Sequence, residues 1–366
     1  MKVKDIIEFM DNWALPKLID KWDNTGFQIG NEDRKVERIL ISLDLDDRVL
    51  NKALEERYDM IITHHPLIFK PLEKITTLSY KEKLVYNLIR EDIAVYNAHT
   101  NLDLAKNGVN DELAKLLGLK NSIPLQKNYE EDLYKLVVFV PLTHADIIRE
   151  VLGNNGAGYI GNYSHCTYNI EGFGTFLPME GTTPYIGNEG ELEKVREARI
   201  ETIVQKDRLS NIIKEMLNVH PYEEVAYDIY PLENKGDKYG YGRVGDIYET
   251  SLQEYLNYVK EKLDTPYLTV YGNMNKKVKR VAVCGGSGSS FIHDSYIHDA
   301  DLYITGDIKY HDAQLAYELG LTLVDAGHFN TEKVILPVIK EYLIKKTNNT
   351  VNIDMLNEPS PPYVVY

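Results

Sequence analysis

Four of the ten histidines in this 366-residue chain lie in short polar segments that directly follow apolar, β-branched runs. They are His64 and His65 in THHP, His99 in AHTNLD and His328 in GHFNTE. Imidazole ligates divalent ions as the neutral base near pH 7. Asp103 and Glu332 sit in the same segments and supply the negative charge that offsets two such ions. Adjacent histidines on a regular strand point to opposite faces. Pro66 ends that regularity, so both rings can turn into one cavity, each toward a different ion. His328 and Glu332 are four apart, and with Asn330 or Thr331 as N-cap, Glu332 falls in a first helical turn, where the dipole favours its charge. A carboxylate so placed has two oxygens with which to bridge. Two ions roughly 3.5–4 Å apart lower the pKa of a shared water, the arrangement that hydrolyses esters, amides and phosphates. A single loop histidine is usually just solvated; three converging segments carry more weight. The expected two-metal set is His64, His65, Asp103, His328 and Glu332.

Other residues are candidates for supporting roles. Asp307 and His311, in GDIKYHDA, are expected across the same cavity as partners of the ligands or proton-transfer groups, with helix capping the alternative for Asp307. His99 is expected to orient a ligand. Asp44 either faces the site or caps a helix. GGSGSS (285–290) follows a strand, but Phe291 stands where G-x-G-x-x-G needs its third glycine, so it reads as a tight turn. HPYEE (220–224) opens a strand in a different part of the chain and is not read as a second metal site. No P-loop, zinc-finger spacing or Ser/His/Asp triad is present.

The elements that must position these residues repeat. RILISLDL (38–45), a helical DDRVLNKALEERY and DMIITHHP (59–66) correspond to RVAVCGGS (280–287) and DLYITGDI (301–308). Thr63 follows Arg38 by 25 positions, and Thr305 follows Arg280 by 25. IAVYNA (93–98) likewise matches LTLVDA (321–326). Each half reads strand, helix, strand, helix, strand, the order of parallel βαβ units. In open α/β sheets ligands gather beyond the carboxyl ends of the strands, which is where the candidate segments fall.

Between the halves lies a stretch of different character. KLVVFVP (135–141), HCTYNIEG (165–172), ARIETIV (198–204) and EEVAYDIYPL (223–232) read as strands, with helices at 143–153 and 207–218. A Gly/Pro-rich loop, GFGTFLPMEGTTPYIGNEG, and a return linker at 233–242 complete it. The order βαββαβ is the ferredoxin-like pattern. The expected organisation is therefore an α/β metal-binding domain of duplicated βαβ units (1–126 and 237–366) interrupted by a ferredoxin-like α+β insert (127–236).

A formal charge of -15 disfavours a surface devoted to nucleic acid. No apolar run approaches a membrane span, and the charged N-terminus lacks a signal-peptide core. Cys166 and Cys284 read as reduced thiols, and a cytoplasmic location is expected.

Together WDNTGFQIG (22–30), ITHHPLIF (62–69), NAHTNLD (97–103), HPYEEVAYDIYPL (220–232), GRVGDI (242–247), VAVCGGSGSSF (281–291), YITGDIKYHDA (303–313) and DAGHFNTE (325–332) resemble one family. It is the NGG-interacting-factor-three-like family of hexameric dinuclear-metal proteins, often labelled GTP cyclohydrolase I type 2 homologues. The insert resembles the PII/CutA-like domain of its longer bacterial members. The resemblance implies His64 and Asp103 on one ion, His65 and His328 on the other, and Glu332 bridging. It also implies a toroidal homohexamer. Mixed imidazole and carboxylate ligands admit zinc, iron, manganese, cobalt or nickel. The expected function is metal-dependent hydrolysis of a small anionic or nucleotide-like substrate. The alternative is a non-enzymatic metal-binding scaffold or small-ligand sensor acting through the insert.

Overall fold

The structure is a computed structural model and describes residues 1–358. The chain divides into two compact units. One comprises Met1–Tyr129 and the segment from Tyr239 onward; the other is Glu130–Lys238. The thirteen strands among the described residues are β1 (Gly26–Ile29), β2 (Arg38–Ser42), β3 (Met60–Thr63), β4 (Ala94–Asn97), β5 (Lys120–Pro141), β6 (Thr167–Phe176), β7 (Glu193–Gln205), β8 (Tyr227–Ser251), β9 (Thr269–Tyr271), β10 (Lys277–Ser287), β11 (Leu302–Gly306), β12 (Thr322–Asp325) and β13 (Asn352–Met355).

In the first unit, one sheet has the order β1-β4-β3-β2-β13. Strands β13, β2, β3 and β4 are parallel, and β1 closes the edge antiparallel to β4. The second ladder runs β8-β10-β11-β12-β9, with β10, β11 and β12 parallel and both flanks antiparallel. Parallel sheets are covered on both faces, so their strands are apolar throughout. Accordingly Ile39, Ile41, Met60, Ile62 and Tyr96 enter one core while Leu40, Ile61 and Val95 enter another. Val281, Val283, Leu302 and Ile304 alternate with Ala282, Cys284 and Tyr303 in the same way. Each large apolar side chain so buried contributes about 1.5–3 kcal/mol. Only the strand ends are left for polar chemistry.

The repeat extends to individual hydrogen bonds. Asp59 Oδ2 accepts the amides of Glu37 and Arg38, and Asp301 Oδ2 accepts those of Lys279 and Arg280. The Ala98 amide donates to the Thr63 carbonyl at 3.0 Å, and the Ala326 amide to the Thr305 carbonyl at 2.8 Å. The register also matches, with Ile39 opposite Met60 and Val281 opposite Leu302.

The second unit contains the inward part of β5, the helix Ala145–Asn154, β6, β7, the helix Lys206–Val219 and the start of β8. β6 and β5 both pair antiparallel with β7. Leu136, Val138, Val140, Ala198 and Ile200 face the two helices and form its core with Ile148, Leu152, Ile212 and Met216. Two expectations fail here. Residues 172–176, expected as the start of the Gly/Pro-rich loop, extend β6. Residues 233–242, expected as a return linker, lie within β8. Their glycines serve close strand approach: a Cβ on Gly240 would overlap the Gln126 carbonyl. A glycine-rich composition therefore marks a tight ladder here, not a flexible connection. Among the described residues no helix is long and apolar enough to cross a membrane.

Candidate metal centre

β3 delivers the first two histidines. The ladder continues one step past its end, with the His64 and His65 amides donating to the carbonyls of Ser42 and Leu43. The Thr63 hydroxyl then donates to the His65 carbonyl at 2.7 Å and turns the chain. His64 is fully buried, and its Nδ1 lies 2.8 Å from the Ala98 carbonyl. His65 Nδ1 lies 2.8 Å from Asp44 Oδ1. Asp44 therefore faces the site, and the cap of the next helix, Asp47–Glu55, is Asp46.

β4 and β12 each lead, through an alanine, into a five-residue helix: Thr100–Leu104 and His328–Glu332. The first presents Asp103. The second presents His328 and Glu332, which share one helical face because they are four apart. Its N-cap is Gly327, not Asn330 or Thr331, so Glu332 closes the short helix instead of opening it. Asp325 sets this start, accepting the Gly327 amide at Oδ1 and the Ile308 amide at Oδ2. Gly327, at φ +85°, supplies the left-handed entry. Gly286, at φ +65°, lies under Glu332, where a Cβ would overlap Oε1. GGSGSS is therefore not the tight turn expected: its first three residues belong to β10, at a register shift against β11, and there they make room for a carboxylate.

The five predicted residues converge. Glu332 Oε2 lies 3.0 Å from both His65 Nε2 and His328 Nε2, which are 3.2 Å from each other. Its other oxygen, Oε1, lies 3.7 Å from His64 Nε2, which is 3.5 Å from Asp103 Oδ1. Two groups with a shared glutamate result, His64–Asp103–Glu332 and His65–His328–Glu332, each close enough to hold one ion. A third close group is His64–His65–His99. Nitrogen and oxygen ligands roughly 2.0–2.2 Å from an ion stand about 3–3.5 Å from one another, close to the 3.0–3.7 Å separations here.

Proton placement decides what the cluster can hold. The Ala98 carbonyl only accepts, so neutral His64 carries its proton on Nδ1 and turns a bare lone pair inward. Asp44 imposes the same tautomer on His65, and Asp307, 2.6 Å from His328 Nδ1, does so for His328. Three lone pairs and two carboxylates then face one another. His64 Nε2, Asp103 Oδ1 and Glu332 Oε2 are buried without a hydrogen-bond partner. Buried acceptors cost free energy unless something positive lies between them, so these residues fit divalent cations. Protons can partly fill that role. Burial opposes the charged form of each ring, yet the carboxylates outweigh it: His64 and His65 are raised and His328 is lifted to about 9. Burial likewise pushes Asp103 up, while the imidazoles hold Glu332 well below the usual carboxylate range against the same penalty.

Of the supporting candidates, Asp307 holds His328 and does not cap the helix that follows it, whose N-cap is Lys309. His311 is not brought to the cluster: it sits on that exposed helix beside Gln314 and Tyr310. It is the second residue of the helix Tyr310–Glu318, and the contacts its ring makes are with that helix and not with the strand ends. His99 does reach the cluster, its ring 5.3 Å from that of His64. Sequence reasoning missed Asp23, which takes His99 Nδ1 at 2.9 Å and the hydroxyls of Thr25 and Thr100. Burial would raise it, but His99 and the two threonines hold it far below the usual range. Its signal lay in WDNT, an acid flanked by loop residues with no periodicity to place it.

A cavity of about 470 Å³ opens beside the cluster, lined by Trp22, His99, Asp103, Tyr241, His328 and Glu332 among others. Trp22 is 59 % exposed and meets Phe69 and His99 edge-on.

The model of the family described as Duf34/NIF3 (NGG1p interacting factor 3) matches residues 1–361. A protein of Halalkalibacterium halodurans named GTP cyclohydrolase 1 type 2 homolog is 43% identical over 93% of this chain and 91% of its own. A Bacillus subtilis protein of the same name is 40% identical over 98% and 97%. The crystal structure of a Bacillus cereus protein related to NIF3 superposes with a TM-score of 0.92 at 43% identity, covering 100% of this chain and 99% of that one. A Staphylococcus aureus structure gives 0.77 at 29% identity, with the same coverage. With both its sequence and its fold matched along their length, the chain belongs to the Duf34/NIF3 family.

Proposed function

We propose that the chain holds two divalent metal ions and hydrolyses a small anionic or nucleotide-like substrate. His64 and Asp103 would hold one ion, His65 and His328 the other, and Glu332 both. The observation that carries this reading is the set of inward-facing acceptors, three imidazole Nε2 atoms and two carboxylates, with every Nδ1 already engaged. Bound ions would activate water and polarise the scissile group. Asp44 and Asp307 fix the ring orientations, and His99, held by Asp23, stands at the cavity wall to position substrate or move a proton. Trp22 offers a planar apolar face at the same cavity. Its volume falls within the roughly 300–1,000 Å³ usual for small-molecule sites. The names of the relatives favour a nucleotide among the anionic candidates.

The same reading includes a homohexamer in the cytoplasm and a PII/CutA-like insert of ferredoxin-like topology. The strand order β6-β7-β5-β8 supports that topology. A second reading, a metal-braced sensor working through the insert, is favoured by the separate cavity of about 390 Å³ in that unit.

The test is turnover of a nucleotide panel by metal-loaded protein, compared with His65→Ala and Glu332→Ala. The proposal expects hydrolysis that disappears, together with bound metal, in both variants. Turnover undiminished in both would remove the centre as catalyst.

A further inference from the structure

The cavity of the Glu130–Lys238 unit lies on the side of its sheet away from the helices. Glu197 occupies β7 opposite Pro141 and Gly172. Because alternate residues share a face, Glu197 stands with Phe139 and Arg199 on the side opposite the core residues Ala198 and Ile200. Gly174, diagonal to it on β6, leaves the sheet bare there: a Cβ would overlap Glu197 Oε2. The carboxylate therefore lies flat on the sheet, only 8 % exposed, at the wall of the cavity.

Its surroundings are aromatic. Phe139, Phe176, Tyr185 and Tyr222 line the same cavity. The rings of Phe176 and Tyr185 stand 5.8 Å and 6.4 Å from that of Tyr222. The Tyr222 hydroxyl donates to Glu197 Oε1 at 2.8 Å, and burial with that carboxylate keeps the phenol protonated. Arg199, two residues along β7, pairs with Glu201 at 3.0 Å, and its guanidinium lies 5.9 Å from the centre of the Phe139 ring. Glu223 is also committed, since both its oxygens accept the Thr183 amide at 3.2 Å and tie down the loop over the cavity.

A buried carboxylate held by one phenol, with aromatic faces around it, complements a positive group on an apolar body. An anion would meet Glu197, and a neutral apolar molecule would leave that charge desolvated. Ring faces attract a desolvated ammonium as well. We infer that the cavity of the inserted unit binds a small organic ammonium compound, its charge against Glu197 and its apolar body among Phe139, Phe176, Tyr185 and Tyr222. The site is independent of the metal reading.

The test is calorimetric titration of the full chain with phenethylamine, and with phenylacetate and 2-phenylethanol as anionic and neutral analogues. The amine is expected to bind saturably, the alcohol about tenfold or more weaker, and phenylacetate not at all. Glu197→Gln should weaken the amine by about tenfold or more and leave the alcohol unchanged. Should that variant misfold, Tyr222→Ala is expected to weaken amine and alcohol together. No saturable binding of the amine, equal binding of phenylacetate, or amine affinity unchanged in Glu197→Gln or Tyr222→Ala would overturn the assignment.

Discussion

His65 and His328 point their Nε2 atoms at each other across 3.2 Å, while a carboxylate holds the far nitrogen of each ring. Two imidazoles so held cannot hydrogen-bond to one another in their neutral forms, because both present lone pairs. Something positive belongs between them.

The first prediction concerns the carboxylates behind the rings. Asp44→Asn and Asp307→Asn keep size but weaken the hold on tautomer and orientation. Each should lower metal affinity by about 10–100-fold, measured by chelator competition. Affinity unchanged in both would show that the rings are oriented by packing alone.

A second prediction uses the irregular end of β10 beneath Glu332. Gly320 and Gly286 both have positive φ, but only at Gly286 would a Cβ meet another group's functional atom. Gly320→Ala should cost about 1–2 kcal/mol, the usual left-handed penalty. Gly286→Ala should cost more in denaturant unfolding and also reduce bound metal. Equal losses with full metal content would contradict this role for Gly286.

The duplicated caps give a third. Asp59 and Asp301 each accept two backbone amides at equivalent positions. Alanine at either should destabilise by about 1–3 kcal/mol through unpaired amides, with Asp59→Ala also losing the Arg34 ion pair. A denaturation midpoint that moves for only one of them would argue against structural equivalence.

The fourth concerns pH in the inserted unit. Burial holds His220 below its ordinary value, against the Phe139 carbonyl. Its Nε2 lies 3.0 Å from that carbonyl and its Nδ1 accepts the Tyr222 amide at 3.1 Å, so the neutral ring is the one built in. A depressed folded pKa gives stability that is complete above the unfolded value near 6.5 and is lost as pH falls below it. Hydrogen exchange, corrected for intrinsic rate, should therefore show the Tyr222 amide losing protection as pH falls below about 6.5. Amides of β3, in the other unit, serve as the reference. Constant protection at Tyr222 would contradict the assignment.

Much of this was legible in the sequence because it rests on short-range patterns. The apolar runs of β2, β3, β10 and β11, and their matched spacing, fix parallel ladders whose carboxyl ends collect His64, His65, Asp103, His328 and Glu332. What escaped was set by tertiary contact. Asp23 meets His99 only because β1 folds against β4. The start of the His328–Glu332 helix is fixed by Asp325, whose other oxygen holds Ile308 from a different strand end. Composition at 233–242 suggested a linker, whereas pairing with β5 made it a strand. Asp307 and His65 occupy equivalent places in the repeat, yet one grips an imidazole and the other is an imidazole.

The most direct measurement is anomalous scattering from crystals of protein equilibrated with a divalent transition metal. Two peaks per chain are expected, one among His64, Asp103 and Glu332, the other among His65, His328 and Glu332. Absence of density between these side chains, or peaks only elsewhere on the molecule, would contradict the two-metal reading.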